Sequence, residues 1–243
     1  VRAAAEAATM AAGATNRSRI RRPRNPQPWS ANGPARNRAG RAHPHATLPS
    51  GETPLMACAK SGSVEAVAAL LARKADPNVH VADSNAQTAV MWAAAEGHAA
   101  VVTRLLAAGA DPNARTKTGF TPLFFAARRG DVDSGLALVA AGADVNASAP
   151  DGSTPLIVAA SGINAIAASD YRMVPTSSGH ERLAITLLEK GANHAAADQL
   201  GLTALHAAVA TDKMALARAL IAHRANLNAQ LAKGLPFRRG DYV

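Results

Sequence analysis

The feature that most constrains the fold of this chain is a short motif that recurs at a nearly constant interval. The motif is a threonine, followed by proline or alanine and then by an aliphatic residue. Its five copies are Thr53-Pro54-Leu55, Thr88-Ala89-Val90, Thr121-Pro122-Leu123, Thr154-Pro155-Leu156 and Thr203-Ala204-Leu205. Successive copies are 35, 33, 33 and 49 residues apart. A period of about 33 residues is typical of proteins built by stacking copies of one small structural unit.

The residues within each unit predict two short antiparallel helices followed by a loop. Threonine suits the N-cap of the first helix, and proline suits its first position, where no N–H is required. The second helix carries aliphatic residues spaced for one face, such as Val64, Val67 and Leu70. Gly109, Gly142 and Gly191 follow it, where a left-handed backbone conformation is needed. Two such helices cannot bury their apolar faces alone, so neighbouring units must stack.

The long interval before the last motif indicates an insertion in the fourth unit. In the other units a pair of aliphatic residues follows the threonine at a fixed interval, whereas Leu187-Leu188 comes later by nearly half a repeat period. The insertion is therefore predicted between the two helices of this unit, at about Ile163 to Ser178. Insertions in repeat proteins map to surface loops, often on a binding face. We favour a neutral loop over a binding role.

The repeated pattern resembles the ankyrin repeat. The shared elements are the threonine motif, a pair of alanines, a glycine-histidine turn such as Gly97-His98 or Gly179-His180, and a closing glycine-alanine-aspartate. The resemblance implies an all-α solenoid of helix-turn-helix units stacked side by side, with hairpin loops between units. It also implies a protein-protein interaction scaffold that binds through the first helices and the projecting loops. The predicted units lie near residues 48–82, 83–115, 116–148, 149–197 and 198–229, so the repeat domain spans 48–229.

The candidate partner-binding residues begin with the column two positions after the aliphatic residue of the motif. We expect this column to face outward on the concave surface, where Trp92, Phe125 and Val158 would form an exposed apolar patch. The alternative is that Trp92 and Phe125 fill gaps between units and that the nearby basic residues are simply solvated. The other candidates are charged residues and loop residues, namely Arg115, Lys117, Phe120, Arg128, Arg129, Asp151, Gln199 and Leu200.

No motif of an enzyme or of a cofactor site is apparent in the sequence. There is no glycine-rich phosphate loop, no nucleophile elbow and no spaced pair of carboxylates. His98 and His180 occupy the same column in different units, which indicates a structural hydrogen bond rather than metal binding. Cys58 replaces an alanine of the packed pair, so we expect it to be buried and inert. The sequence thus predicts no catalysis, no cofactor and no metal.

Positive charge is concentrated at the start of the chain. The formal net charge is +9, and residues 1–47 hold nine arginines against one glutamate, a local balance of +8. Few aliphatic residues occur between 15 and 47, so residues 1–47 are predicted to be a disordered tail. One alternative function is therefore binding of nucleic acid or an anionic surface through this tail. Another is that the chain is the recognition fragment of a longer enzyme or effector.

The ends of the chain give expectations about its extent and location. Residues 230–243 include Leu235-Pro236-Phe237, which resembles the start of a truncated sixth repeat and suggests that the natural chain continues past Val243. No run is long and apolar enough to span a membrane. The stretch from Ala3 to Ala14 is interrupted by Glu6 and has no leucine, so a signal peptide is disfavoured. We expect a soluble monomer, with the cytoplasm favoured.

Overall fold

The computed structural model describes residues 51–81, 85–162 and 178–231. Within these ranges the chain forms ten α-helices in five consecutive pairs. They are α1 (Pro54–Ser61), α2 (Val64–Ala72), α3 (Ala89–Glu96), α4 (Ala99–Ala107), α5 (Pro122–Arg129), α6 (Val132–Ala140), α7 (Pro155–Ser161), α8 (Ser178–Glu189), α9 (Ala204–Ala210) and α10 (Met214–Ala222). The predicted all-α repeat solenoid is confirmed. None of these helices is long and apolar enough to cross a membrane.

Three predicted segments fall wholly or almost wholly outside the described residues. They are the basic tail (1–47), the insertion in unit four (163–178, of which the structure describes Ser178) and the proposed sixth repeat (230–243, of which it describes 230 and 231). The two helices of unit four, α7 and α8, lie on either side of the predicted insertion.

Each first helix begins directly after its motif threonine. The side-chain oxygens of Thr53, Thr154 and Thr203 accept a hydrogen bond from the backbone N–H three residues later, as the capping prediction requires. At Thr88 and Thr121 the helix begins in the same place, but the side-chain oxygen is buried and bonds to no described residue. The predicted cap is therefore complete in three of the five units.

A residue with left-handed backbone conformation follows the second helix of each unit. Gly109, Gly142 and Gly191 have φ values of 87°, 91° and 89°, which confirms the role predicted for these glycines. Lys74 and Arg224 take the same place in units one and five, each with a φ of 62°. A side chain in this conformation costs roughly 1–2 kcal/mol, so the two outer units carry local backbone strain.

The helices form two layers, with first helices beside first helices and second helices beside second helices. A column of alanines lies between successive first helices, six residues after the threonine. Its members Ala59, Ala94, Ala127 and Ala160 are each 0% exposed. Because an alanine side chain is small, the first helices of neighbouring units approach closely. The inner surface of the solenoid is built from these helices.

A ladder of asparagine side chains joins the loops that close the units. The Nδ2 of Asn78 donates to the carbonyl oxygen of Gly109 at 2.9 Å, and its Oδ1 accepts from the N–H of Asp111 at 2.8 Å. Asn113 and Asn146 make the same pair of bonds to the loops of units three and four. These bridges fix the spacing of units one to four.

The helix-helix turn of unit four differs from the sequence expectation. Gly97-His98 lies between two helices, as predicted, but Gly179-His180 lies inside α8, so its assignment to the turn was wrong. Gly162, with a φ of 63°, ends α7 instead, and the insertion separates it from His180. Although His180 lies inside α8, its Nε2 is 2.9 Å from the carbonyl oxygen of Arg128 in the preceding unit.

Candidate partner-binding surface

The inner-helix column that was expected to be exposed is mostly buried. Of its members, Ala57 and Trp92 are partly exposed, whereas Ala207 is buried and Phe125 and Val158 are each only 1% exposed. The predicted exposed patch is therefore wrong at Phe125 and Val158. The alanine column holds the first helices so close together that a phenylalanine or valine at this position retains almost no solvent-accessible surface.

Trp92 is the large member of this column whose side chain remains partly exposed. It lies on α3, and the Nζ of Lys60 from α1 is 4.5 Å from the centroid of its ring, within range of a cation–π interaction. The indole Nε1 is buried and makes no hydrogen bond to any described residue. The ring is thus fixed at the boundary of units one and two, with a cation beside it.

Phe125 is covered on the inner surface by Arg128, which follows it by three residues on α5. The Cζ of Arg128 lies 5.9 Å from the centroid of the Phe125 ring. Burial lowers the pKa of the Arg128 guanidinium, and the Glu96 carboxylate partly opposes this change. The side chain of Arg129 is exposed and runs over Gly97. The two arginines therefore present positive charge where an apolar patch was expected.

Phe120 is a core residue rather than a contact residue of the loop, contrary to the prediction. Its side chain is 5% exposed. Its ring packs edge to face on Phe124, with 5.2 Å between centroids and 80° between planes. Phe120 closes the hairpin before α5, so its surface faces the core.

Arg115 and Lys117 lie on the hairpin between units two and three. The Nη1 of Arg115 donates to the carbonyl oxygens of Gly119 and Ser148, at 3.1 and 3.3 Å, which ties this hairpin to the next one. The N–H of Lys117 donates to the carbonyl oxygen of Asn85 in the preceding hairpin at 3.2 Å. Both side chains are exposed. Their charges therefore lie on a hairpin that hydrogen bonds hold to the hairpins on either side of it.

The hairpins on either side of unit four are joined in the same way. The N–H of Gln199 donates to the carbonyl oxygen of Asp151, and its Nε2 donates to that of Pro150, both at 2.8 Å. The N–H of Leu200 donates to the Oδ1 of Asp198 at 2.9 Å. Gln199 is exposed, whereas Asp151 and Leu200 are half-buried. These three predicted residues lie at least one unit away from Trp92.

Positive charge dominates the first helices and hairpins of units one to three. In the described parts of these elements, the charged residues are Lys60, Arg115, Lys117, Arg128 and Arg129 against Glu52 and Glu96. The first helices and hairpins beyond Arg129 carry Asp151 and Asp198 and, in their described residues, no lysine or arginine. The inner surface is therefore polarised along the array, basic at units one to three and weakly acidic afterwards.

Lys60 and Glu96 belong to this surface although neither stood out in the sequence. Lys60 follows Thr53 by seven residues, just as Arg128 follows Thr121. Alignment of the units by their threonines would therefore have found Lys60. Glu96 follows its threonine by eight residues, the column of Arg129, but its influence on Arg128 depends on the spacing of α3 and α5.

The remaining chemically distinctive side chains have structural surroundings. Cys58 is buried on α1, as predicted, and burial raises the pKa of its thiol, which keeps it protonated and unreactive at neutral pH. The Nε2 of His98 lies 3.2 Å from the carbonyl oxygen of Lys60, and that of His180 lies 2.9 Å from that of Arg128. In the ranges that the structure describes, no three histidine, cysteine or acidic side chains are grouped to hold a metal ion.

Comparison with protein families gives matches over more than half of the chain. A model described as ankyrin repeats (3 copies) matches residues 36–116 and 101–169, and a model described as ankyrin repeat matches residues 200–230. Together these ranges contain all five motif threonines. No curated protein matches the chain significantly.

Proposed function

Because this chain belongs to the ankyrin repeat family, whose repeats generally mediate protein-protein interaction and are typically non-catalytic, we propose that it is a protein-binding scaffold. The proposed site is the inner surface and hairpin edge of units one to three. The observation that carries this proposal is the partly exposed Trp92 ring, with Lys60 beside it, inside a basic surface. A tryptophan surrounded by polar residues is a frequent energetic centre of protein interfaces.

The charge of the surface supports an acidic partner. Arg115, Lys117 and Arg129 have exposed side chains on the hairpin edge and the inner surface of units two and three. Complementary charges at the rim of an interface mainly raise the association rate and select the partner. We therefore propose a partner segment that carries several carboxylates and one apolar side chain placed against Trp92. Its affinity should fall as the salt concentration rises.

The rigidity of the edge supports the same conclusion. Lys117 and Arg115 hold their hairpin to its two neighbours through backbone carbonyl oxygens. A surface that is already ordered before binding loses less conformational entropy when the partner arrives. The array is thus suited to bind an extended segment without rearrangement.

The test is affinity capture from native lysate with the full chain, followed by titration of the purified partner. Trp92→Ala removes the ring, whereas Trp92→Phe keeps an aromatic surface and removes the buried N–H. Arg129→Glu reverses one exposed charge of the surface, and Arg104→Glu reverses an exposed charge on the second helix α4. We expect Trp92→Ala and Arg129→Glu to weaken binding by about tenfold or more, and Arg104→Glu to leave it unchanged.

The controls decide between this surface and others. All variants are matched by thermal unfolding, so that a loss of binding is not a loss of fold. If Arg104→Glu weakens binding as much as Arg129→Glu, or if Trp92→Ala has no effect, the partner binds elsewhere and the proposed site is wrong.

The basic segment 1–47 supports a second candidate function, which is binding of nucleic acid. Its balance of +8 predicts sequence-independent contacts with phosphates that weaken steeply with salt. On this alternative, a fluorescent single-stranded oligonucleotide binds the full chain, and neither Trp92→Ala nor Arg129→Glu changes its affinity. Deletion of residues 1–47 would abolish that binding.

A further inference from the structure

The fifth unit exposes more large apolar side chains than the units before it. Five large hydrophobic residues are exposed in the described part of the chain, and four of them belong to unit five. These four are Val209, Met214, Ile221 and Leu227, which are 64%, 52%, 50% and 66% exposed, and the fifth is Leu136. Exposed apolar residues that cluster at one place mark a surface that is normally covered.

The position of Val209 shows what kind of structure covers it. Val209 follows its threonine by six residues, and the residues at this position in units one to four are 0% exposed. In each of those units the first helix packs against the first helix of the next unit. Val209 is therefore at a unit-to-unit interface that recurs four times in the array, and its own side chain lacks a described neighbour of this kind.

The outer layer leads to the same conclusion. Ile221 occupies the position of Leu71, Leu106 and Val139, which are half-buried, and of Leu188 in unit four, which is 3% exposed on the helix α8 that packs against α10. The exposure of Ile221 is 50%. Both layers of unit five thus end in side chains suited to the helices of a following unit.

We propose that the residues after Leu231 of this chain cover this face, with Leu235-Pro236-Phe237 beginning the first helix of a sixth unit over Val209. Leu231 packs partly buried against the core, and it follows Thr203 at the same interval as Val81 follows Thr53. The N–H of Val81 donates to the carbonyl oxygen of Gln87 at 2.9 Å, two residues before the next first helix begins at Ala89. A chain that continues from Leu231 in the same way would therefore reach the exposed residues of unit five.

The sequence of this segment fits the same place. Leu235-Pro236-Phe237 follows Thr203-Ala204-Leu205 at an interval within one residue of the repeat period. Proline is favoured at the first position of a helix, where it stands in units one, three and four. Phe237 then takes the place of the aliphatic residue, which in units one to four is almost fully buried.

The experiment measures the accessibility of residue 209 in the full chain. Val209→Cys introduces a thiol, and Cys58, the sole native cysteine, is buried and reacts slowly. Maleimide labelling at each cysteine is followed by peptide mass spectrometry. The same substitution is then combined with Leu235→Ser and Phe237→Ser. Leu136→Cys, at an exposed site in unit three, is the reference in both backgrounds.

We expect the thiol at 209 to react about tenfold more slowly than that at 136, and to lose this protection when residues 235 and 237 are serine. Labelling at 136 should be the same in both backgrounds. Hydrogen exchange of α9 and α10 confirms that unit five is still folded in the serine variant.

Two results would overturn the proposal. If the thiol at 209 reacts as fast as that at 136 in the unmodified tail background, the face is open. If it is protected only at high protein concentration, and light scattering shows a dimer, a second copy covers the face. Neither result affects the proposed binding surface at Trp92, which lies three units away.

Discussion

The asparagine ladder predicts a single substitution that should stabilise the end of the array. Asn78, Asn113 and Asn146 each bridge to the next loop, but the equivalent residue in unit four is Ala195. The turn around Ala195 is already formed, because its N–H donates to the Oδ1 of Asn193 at 2.9 Å. A cavity of about 180 Å³ lies beside it. Ala195→Asn should therefore restore the bridge between units four and five.

The expected gain follows from the two hydrogen bonds that the amide would make. By analogy with the other units, its Nδ2 would donate to the carbonyl oxygen of Arg224, and its Oδ1 would accept from the N–H of Asn226. An exposed hydrogen bond contributes roughly 0.5 kcal/mol or a little more, so the pair should stabilise by about 1 kcal/mol. In a linear array this energy acts mainly at one interface. It should lower the equilibrium population of the opened form of unit five about fivefold.

The assay is hydrogen exchange by mass spectrometry on peptides from α9 and α10, under native conditions. Unlike a melting temperature, this reads the opening of unit five separately from that of the other units. Ala195→Leu is the matched control, because leucine resembles asparagine in shape but makes no hydrogen bonds. Peptides from α3 and α4 serve as the internal reference.

Two outcomes are expected together. The asparagine variant must exchange more slowly in unit five than the parent chain, and the leucine variant must not. Equal protection in both variants would show that filling the cavity, rather than the bridge, stabilises this interface. No change in either would show that the ladder contributes nothing to the stability of the array.

Four further predictions test the packing and the electrostatics. Gly130→Ala should lower the free energy of unfolding by more than about 1 kcal/mol in chemical denaturation, because φ is 71° and the added β-carbon would lie 2.5 Å from the Nδ1 of His180. Lys74→Gly should instead raise the free energy of unfolding by about 1 kcal/mol, because it removes a side chain from a residue with a φ of 62°. Phe125→Ala should cost about 3–5 kcal/mol, as expected for a buried ring, and a cost below about 1 kcal/mol would contradict the burial. Burial lowers the pKa of Lys213 to about 8, so between about pH 8 and pH 10.5 the unfolded state binds more protons at this residue than the folded state does. Over this range the free energy of unfolding of the parent chain should therefore rise by about 2–3 kcal/mol relative to that of Lys213→Met. A difference that stays constant with pH would refute this.

The repeat architecture could be predicted from the sequence because its signals are local and recur in register. Thr53 and Pro54 define a helix start with no knowledge of the rest of the chain. Gly109 likewise predicts a left-handed residue. The repetition of these signals at one period then required stacking, since a single helix pair has too little surface to bury. The helix pairs of the structure confirm this part of the prediction.

The exposure of the inner surface could not be predicted in the same way. Whether Phe125 faces solvent depends on the distance between α5 and its neighbouring first helices, which no residue of α5 determines alone. The small alanine column sets that distance, and it leaves Trp92 partly exposed while it buries Phe125. Burial of Phe120 similarly depends on its contact with Phe124. For this reason the exposure of charged residues such as Arg115 and Lys117 was easier to predict than that of the apolar ones.

In units two, four and five a hydrogen-bond donor lies at the same position, and the residue that supplies it changes; in unit three this position holds Asp131. His98 and His180 contact the carbonyl oxygen of the residue seven positions after the threonine of the previous unit, and in unit five the Nζ of Lys213 donates to the carbonyl oxygen of Ala160, six positions after Thr154. All three residues follow their threonine at the same position once the insertion is allowed for. A histidine meets this need without a net charge, whereas the lysine must be buried, which lowers its pKa. A lysine can therefore take the place of the histidine at this interface, and the pH dependence predicted for Lys213 is the consequence of burying it there.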